Sequence, residues 1–597
     1  MSLAPSPFSK IVAPTCVLLA GTLGAQTPDV IYTEIASSPT SIVPGTLDGS
    51  ALPTVARWLD IRDLVVSPDG GSWTLNGRID LGPGAESALV LGSGTMGSML
   101  AQEGQRFLGG VTGDVYGSFY PHAVTSFDTT GGLAFRAIAL NGTSVTDRLV
   151  VHDTSFGSHT VVVQQGDLVT GASDFGTSGD ETIGVGFGSI GLLDSGEVSY
   201  VNAMRNVLPG LDRAYLRGQT VWRQQSVSQV VTLLFGATTF KSIFPTGNGT
   251  TPDGLHWFIQ GEASDEPLQS DQFLLVDGRV VLQESLPIAG SSTVFASVIE
   301  THMVSNGDWI ARGLDPNGGL WVVYNEELLL RSGDPVDSDQ VGVSAIGFGA
   351  ACNRVGDWAV SCSTTEASTT NDVVVLNNEI VLREGDPVDV DGDGLFDDDA
   401  FLGEASPSFS TFLDLWLTDD LALYFVARLR DGSGGDLGKA VMRLQLPSLD
   451  FCEGSDGAMA FCPCASGRLD TGCDLPQASG GVRLSVVEQQ AAVQNRATLS
   501  GTGYSTMGAP TSVVIRSSSL DPLTPVVFGD GLRCVSNPFV RLSADVAVGG
   551  VSTHVIPHEA SLGSGDFYYQ LLFRSGPASY CDPTAAFNLS SGRVLTW

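Results

Sequence analysis

Basic side chains are scarce: 29 Lys and Arg stand against 65 Asp and Glu in 597 residues, a formal net charge of -36. Such a polyanion is repelled by nucleic acid and by anionic membrane surfaces, so neither is an expected partner. Its carboxylates are hard oxygen ligands, better suited to cations. Histidine is also rare. The seven present are His122, His152, His159, His256, His302, His554 and His558, and none falls in a His-Glu-x-x-His arrangement, which removes one common zinc-hydrolase signature. His554 and His558 sit in a segment that reads as an exposed turn. A Gly-x-Ser-x-Gly elbow and a phosphate-binding loop are missing as well. Beyond the N-terminus no run reaches the ~20 apolar residues of a membrane-spanning helix.

What is present begins with an export signal. Lys10 is the only charge before Asp29, and the apolar, small-residue run from Ile11 ends at Leu23-Gly24-Ala25. A basic n-region, an h-region and a cleavable end predict a signal peptide over 1–25 and a secreted or cell-surface protein with no transmembrane segment in the mature chain. Cys16 lacks the small residues that precede a lipidated cysteine. The eight remaining cysteines are Cys352, Cys362, Cys452, Cys462, Cys464, Cys473, Cys534 and Cys581, an even set that predicts disulfides in an exported chain. Cys352 and Cys362 flank a turn and are expected to face each other across a hairpin.

The strongest signal is internal repetition. Apolar runs split by a turn pair recur, as in Leu320-Trp321-Val322-Val323-Tyr324, Asn325-Glu326, Glu327-Leu328-Leu329-Leu330, and again in Val373 to Leu382 around Asn377-Asn378. Phe273 to Glu284, with an Asp277-Gly278 turn, has the same shape. These are hairpin signals. The residue closing each copy falls at 103, 165, 225, 284, 332 and 384, and a further strand pair precedes each. Four short strands per 50 to 60 residues is the length of a propeller blade. The last unit (Leu413 to Leu444) stops short of its fourth strand, while an orphan strand, Val30 to Glu34, opens the mature chain. The prediction is an all-β chain: a seven-bladed β-propeller over 29–447, its N-terminal strand closing the last blade. Trp73, Trp257, Trp309, Trp321, Trp358 and Trp416 read as blade core. Ser67-Pro68-Asp69-Gly70-Gly71-Ser72-Trp73 is one residue short of a sialidase-type box and reads as a turn.

Between the last two units lies Asp389-Val390-Asp391-Gly392-Asp393-Gly394-Leu395-Phe396-Asp397-Asp398-Asp399. Its Asp-x-Asp-x-Asp-Gly alternation resembles the calcium loop of EF-hand and dockerin-like repeats. That resemblance implies a structural Ca²⁺ held by Asp389, Asp391, Asp393, the Leu395 carbonyl and Asp397. The twelfth position, usually Glu, is Ala400, with Asp398 or Asp399 the nearest substitutes.

Composition shifts again near Pro447. Cys452, Cys462-Pro463-Cys464 and Cys473 are followed by Val527-Phe528-Gly529-Asp530-Gly531-Leu532-Arg533-Cys534, Tyr568-Tyr569-Gln570 and Ala586-Phe587-Asn588-Leu589-Ser590-Ser591-Gly592. This pattern resembles a C-terminal module of large exported planctomycete proteins. The resemblance implies a disulfide-rich, β-sandwich-like accessory module over 450–597 and carries no known activity. With no catalytic motif in view, the expected function is that of a non-enzymatic binding or structural protein of the cell surface or extracellular space, its partner an unidentified ligand, a glycan or an envelope component. The alternative is a propeller hydrolase or lyase acting on extracellular polysaccharide, its acids drawn from separate blades.

Overall fold

The computed structural model describes residues 28–596, apart from 46–55, 452–481, 491–495, 503–510, 519–525, 558–565, 575–586 and shorter loop stretches. The expected signal segment and Cys452, Cys462, Cys464, Cys473, Cys534 and Cys581 lie outside that description. The described chain is β-strand joined by turns, with Pro39–Ser41, a single 3-10 turn, its one helical element.

Seven antiparallel sheets follow one another along the chain. They are numbered here by their first main strand: Trp58–Val66 (sheet 1), Thr125–Phe127 (2), Gly188–Leu192 (3), Gly236–Thr250 (4), Ser297–Met303 (5), Val341–Cys352 (6) and Phe412–Leu417 (7). Each of these strands touches its counterpart in the next sheet, and that of sheet 7 touches that of sheet 1. The sheets therefore stand around an axis, with these inner strands nearest it, as in a β-propeller.

The outer hairpins form because their turn residues accept left-handed backbone. Asp277 and Gly278 have φ of 47° and 83°, Asn325 and Glu326 46° and 72°, the pair of positive values a tight hairpin turn demands. The first turn residue does more than bend the chain. Asp277, Asn325 and Asn377 each accept, through Oδ1, the backbone N–H of the tryptophan opening the second strand of their sheet: Trp257 at 2.9 Å, Trp309 at 3.0 Å and Trp358 at 3.0 Å. Those tryptophans are buried, as are Trp73 and Trp321, and fill the layers between neighbouring sheets.

The strand Asp29–Thr33 pairs antiparallel with Asp436–Gln445 of sheet 7, from Asp29↔Arg443 to Thr33↔Ala440. This is the pairing expected of the orphan strand, and it covers an edge that would otherwise recruit another chain. Ile31 and Tyr32 share one apolar cluster with Trp58, Trp73, Tyr424 and Val441, uniting the first and last sheets.

The expected Cys352–Cys362 disulfide is absent. In the ladder joining their strands Cys352 faces Trp358 and Cys362 faces Ile346, so the two are several residues apart, and both are buried free thiols. A hairpin disulfide needs near-opposed positions.

In the C-terminal region Arg483–Gln490, Arg496–Thr502 and Val551–Pro557 form one sheet. Asp450–Phe451, Phe587–Thr596, Asp566–Arg574, Thr511–Ser517 and Val540–Val546 form another. Leu484, Leu499 and Ile556 of the first share a core with Val514, Tyr569, Leu571 and Leu595 of the second. His554 belongs to this packing rather than to an exposed turn. Val551–Pro557 alternates exposed and buried residues, and His554 is fully buried with Nε2 2.9 Å from Ser512 Oγ. The apolar-polar alternation is what a half-buried strand requires. His558 lies outside the described residues.

Candidate functional site

The inner strands are irregular, and the irregularity places the site. Pairing with the second strand slips between Ile61 and Leu64 in sheet 1, Val298 and Glu300 in sheet 5, Ile346 and Ala350 in sheet 6, and Phe412 and Asp414 in sheet 7. A bulge bends its strand and re-aims a side chain, a device common beside functional sites. Asp63 sits within such a slip; Glu300 and Asp414 each follow one directly.

These residues converge across sequence gaps of more than a hundred positions. Asn76 Nδ2 donates to Asp63 Oδ2 at 2.8 Å. The backbone N–H of Leu64 donates to Asp414 Oδ2 at 3.4 Å, which brings the sheet 7 carboxyl against the strand carrying Asp63. In sheet 5, Glu300 takes a hydrogen bond from Arg312 Nε at 2.5 Å and lies 2.7 Å from His302 Nε2. Arg312 also donates to the Gly347 carbonyl of sheet 6 at 2.7 Å. The His302 ring meets Trp416 of sheet 7 edge-on, with centroids 5.3 Å apart. Contact between sheets 5 and 7 passes the bulged, glycine-containing strand of sheet 6. A Cβ on Gly349 would come within 2.6 Å of Leu415.

The electrostatics split the acids. Burial pushes the Asp414 carboxyl up to about 7, with Asp63 adding to the rise and the Leu64 N–H opposing it. Burial would raise Glu300 too, but His302 and Arg312 outweigh it and hold that carboxyl at about 2. The side chains of Glu300 and His302 nevertheless keep 29% and 28% of their exposure. Groups walled in by protein yet open to water are what the axis of a ring of sheets provides. A carboxyl poised to give a proton near neutrality beside one that stays ionised is the division of labour of acid–base chemistry.

No local motif marks these positions. The available signal is a polar residue three beyond the tryptophan of a second strand: Trp73/Asn76, Trp309/Arg312 and likewise Trp257/Gln260 and Trp358/Ser361, all buried. Trp416 departs from the core reading, being only partly buried and lying on an inner strand beside His302.

The acidic loop is a separate feature. Asp389, Asp391 and Asp398 each bring one carboxylate oxygen within 4.8 Å of the others, a cluster fit for one cation. Asp398 Oδ2 also accepts the N–H of Val390 at 2.6 Å, and Asp393 Oδ1 that of Leu395 at 2.8 Å. Asp397 and Leu395 are exposed. The Asp391 carboxyl is raised: the Asp393 N–H pulls it down, but desolvation and the charges of Asp393, Asp398 and Asp389 prevail. The loop is tied to the N-terminal segment, since Ser38 Oγ and Thr40 Oγ1 both donate to the Val390 carbonyl at 3.3 Å. A polar cavity of about 380 Å³ near Asp315, Arg331 and Asp334 is lined by none of these acids.

No family model matches the chain, and no curated protein does. Among solved structures, it is similar to the β-propeller domain of the Trilobed protease from Pyrococcus furiosus, at 8% identity and a TM-score of 0.34 over 66% of this chain and 96% of that one. It is also similar to an oligogalacturonate lyase in complex with manganese, at 12% identity and 0.28 over 64% and 76%. A third is the polysaccharide lyase Uly1, at 12% and 0.25 over 65% and 77%. These are propeller-type β architectures, and their activities do not transfer at such scores. Among the described residues no helix is long and apolar enough to cross a membrane.

Proposed function

We propose that this is an exported protein, secreted or held at the cell surface, whose 29–447 region is a seven-bladed propeller that binds a glycan or envelope component at its axis. The 450–597 region is its Cys-rich accessory module. The observation supporting this reading is the convergence of Asp63, Glu300, His302 and Asp414 from three distant sheets on one water-accessible position. A fold can be stable without carboxylates gathered on its axis, and gathering them costs self-repulsion. The test is binding of the full chain to glycans and envelope fractions, with Glu300→Ala expected to lose binding at least tenfold. Undiminished binding by that variant places the ligand elsewhere.

A second reading, a hydrolase or lyase acting on extracellular polysaccharide, is favoured by one feature: Asp414 titrates near neutrality within reach of His302. In either case the acidic loop holds a structural Ca²⁺ through Asp389, Asp391 and Asp398, with Asp393, the Leu395 carbonyl and Asp397 completing it as the ion draws the loop in. Calorimetry should give a calcium-binding heat for the wild type that Asp391→Ala abolishes; equal heats for the two proteins discard the site.

A further inference from the structure

We propose that the axial site hydrolyses glycosidic bonds of neutral or amino sugars, with Asp414 as proton donor to the leaving oxygen and Asp63 as base toward water. The proposal deepens the second reading above and rests on the axis being where ligand binds.

Three observations carry it. Two carboxyls come from neighbouring inner strands, Asp414 accepting the N–H of Leu64, the residue after Asp63. Their surroundings differ as the two roles require: Asp63 is exposed, suited to meeting water, whereas Asp414 is half-buried. Paired carboxyls of this kind serve both inverting and retaining glycoside hydrolysis. Trp416, half-buried on the same inner strand as Asp414, supplies an apolar face of the sort on which a sugar ring rests.

The charge of the site sets the substrate class. Among the described residues Arg312 is the one guanidinium bonded into this group, and it donates to Glu300 and the Gly347 carbonyl. With Asp63 and Glu300 nearby, a substrate carboxylate would meet repulsion, so uronic acids are disfavoured. Neutral sugars meet no such penalty, and an ammonium group is attracted.

In the reaction the Asp414 proton passes to the glycosidic oxygen as its bond to the anomeric carbon breaks. The water oxygen bonds to that carbon and gives a proton to Asp63. Asp63 then releases its proton to solvent and Asp414 takes one up, so each bond cleaved consumes one water.

The experiment measures reducing-end release and, separately, calorimetric binding for the full chain with cello-oligosaccharides, chitosan oligomers and oligogalacturonate. Turnover of a neutral or amino oligomer, none of oligogalacturonate, and a fall of ~10²–10⁴-fold in Asp414→Asn and Asp63→Asn with binding retained is the expected result. The wild-type rate should also decline above about pH 7, as Asp414 loses its proton. Melting curves matching the wild type show that the Asn variants are folded. Oligomer binding without turnover overturns hydrolysis and leaves the binding reading standing; turnover of oligogalacturonate, or full activity in Asp414→Asn, overturns it too. Absence of any binding removes both.

Discussion

His159 shows how much of a residue's role is settled by its surroundings. It faces His152 across the outer ladder of sheet 2, their rings 5.0 Å apart, and its Nδ1 lies 2.5 Å from the Tyr116 hydroxyl. Burial, with His152 adding to it, lowers it from 6.5 to about 4. The unfolded chain takes up a proton near pH 6.5 that the folded one refuses, so stability present above that value is lost as pH falls toward 4. His159→Gln should therefore lose less melting temperature between pH 7 and pH 5 than the wild type; equal losses show that the acid sensitivity lies in other groups. In the sequence His159 is one of seven scattered histidines, because what makes it unusual is a neighbour on another strand. The same holds for Asp414, which reads as an ordinary polar position between Leu413 and Leu415.

At the scale of single strands the sequence was most informative where backbone chemistry is local. The Asp277-Gly278 and Asn325-Glu326 turns announce their hairpins because few residues tolerate left-handed backbone. The inner strands were less legible, since their bulges break the alternation that identifies a strand. Val551–Pro557 was missed although it alternates regularly, its histidine and proline suggesting a turn. One glycine tests the packing between strands: a Cβ on Gly313 would lie 2.0 Å from the Ser297 carbonyl and 2.2 Å from the Trp321 ring. Trp321 is completely buried and has no room to retreat. Gly313→Ala should cost roughly 1–3 kcal/mol in urea unfolding. An unchanged midpoint would mean that the second and third strands of sheet 5 are less tightly joined than described.

For the molecule as a whole, the repeat length and the orphan strand disclosed the succession of sheets and the partner of Asp29–Thr33. The meeting of sheets 1, 5 and 7 at the axis was not disclosed, because no repeat-level pattern says which blades face each other. The seam between the chain's beginning and sheet 7 is held by more than a ladder. Glu34 accepts the N–H of Lys439 at 2.9 Å and also that of Ile61, while the Lys439 ammonium reaches Asp60. Deleting residues 28–36 strips the last sheet of a strand and removes both Glu34 bonds, leaving only the Lys439–Asp60 pair. The shortened protein should melt well below the full chain and associate through the bared edge, as light scattering would record; a monomer of unchanged melting point would contradict this account of the seam. With a calcium ion in the proposed acidic-loop site, its removal should produce a milder version, since the loop is tied to Ser38 and Thr40. Saturation at 100 times the dissociation constant contributes about 2.7 kcal/mol.

That seam also orders events in time. Thr33 and Ala440 are partners, so Thr33 is synthesised hundreds of codons before the residue it pairs with. Until the mate arrives the seam cannot lock. Its long-range pairing makes the final fastening a slow step, performed once, after the whole ring has been delivered.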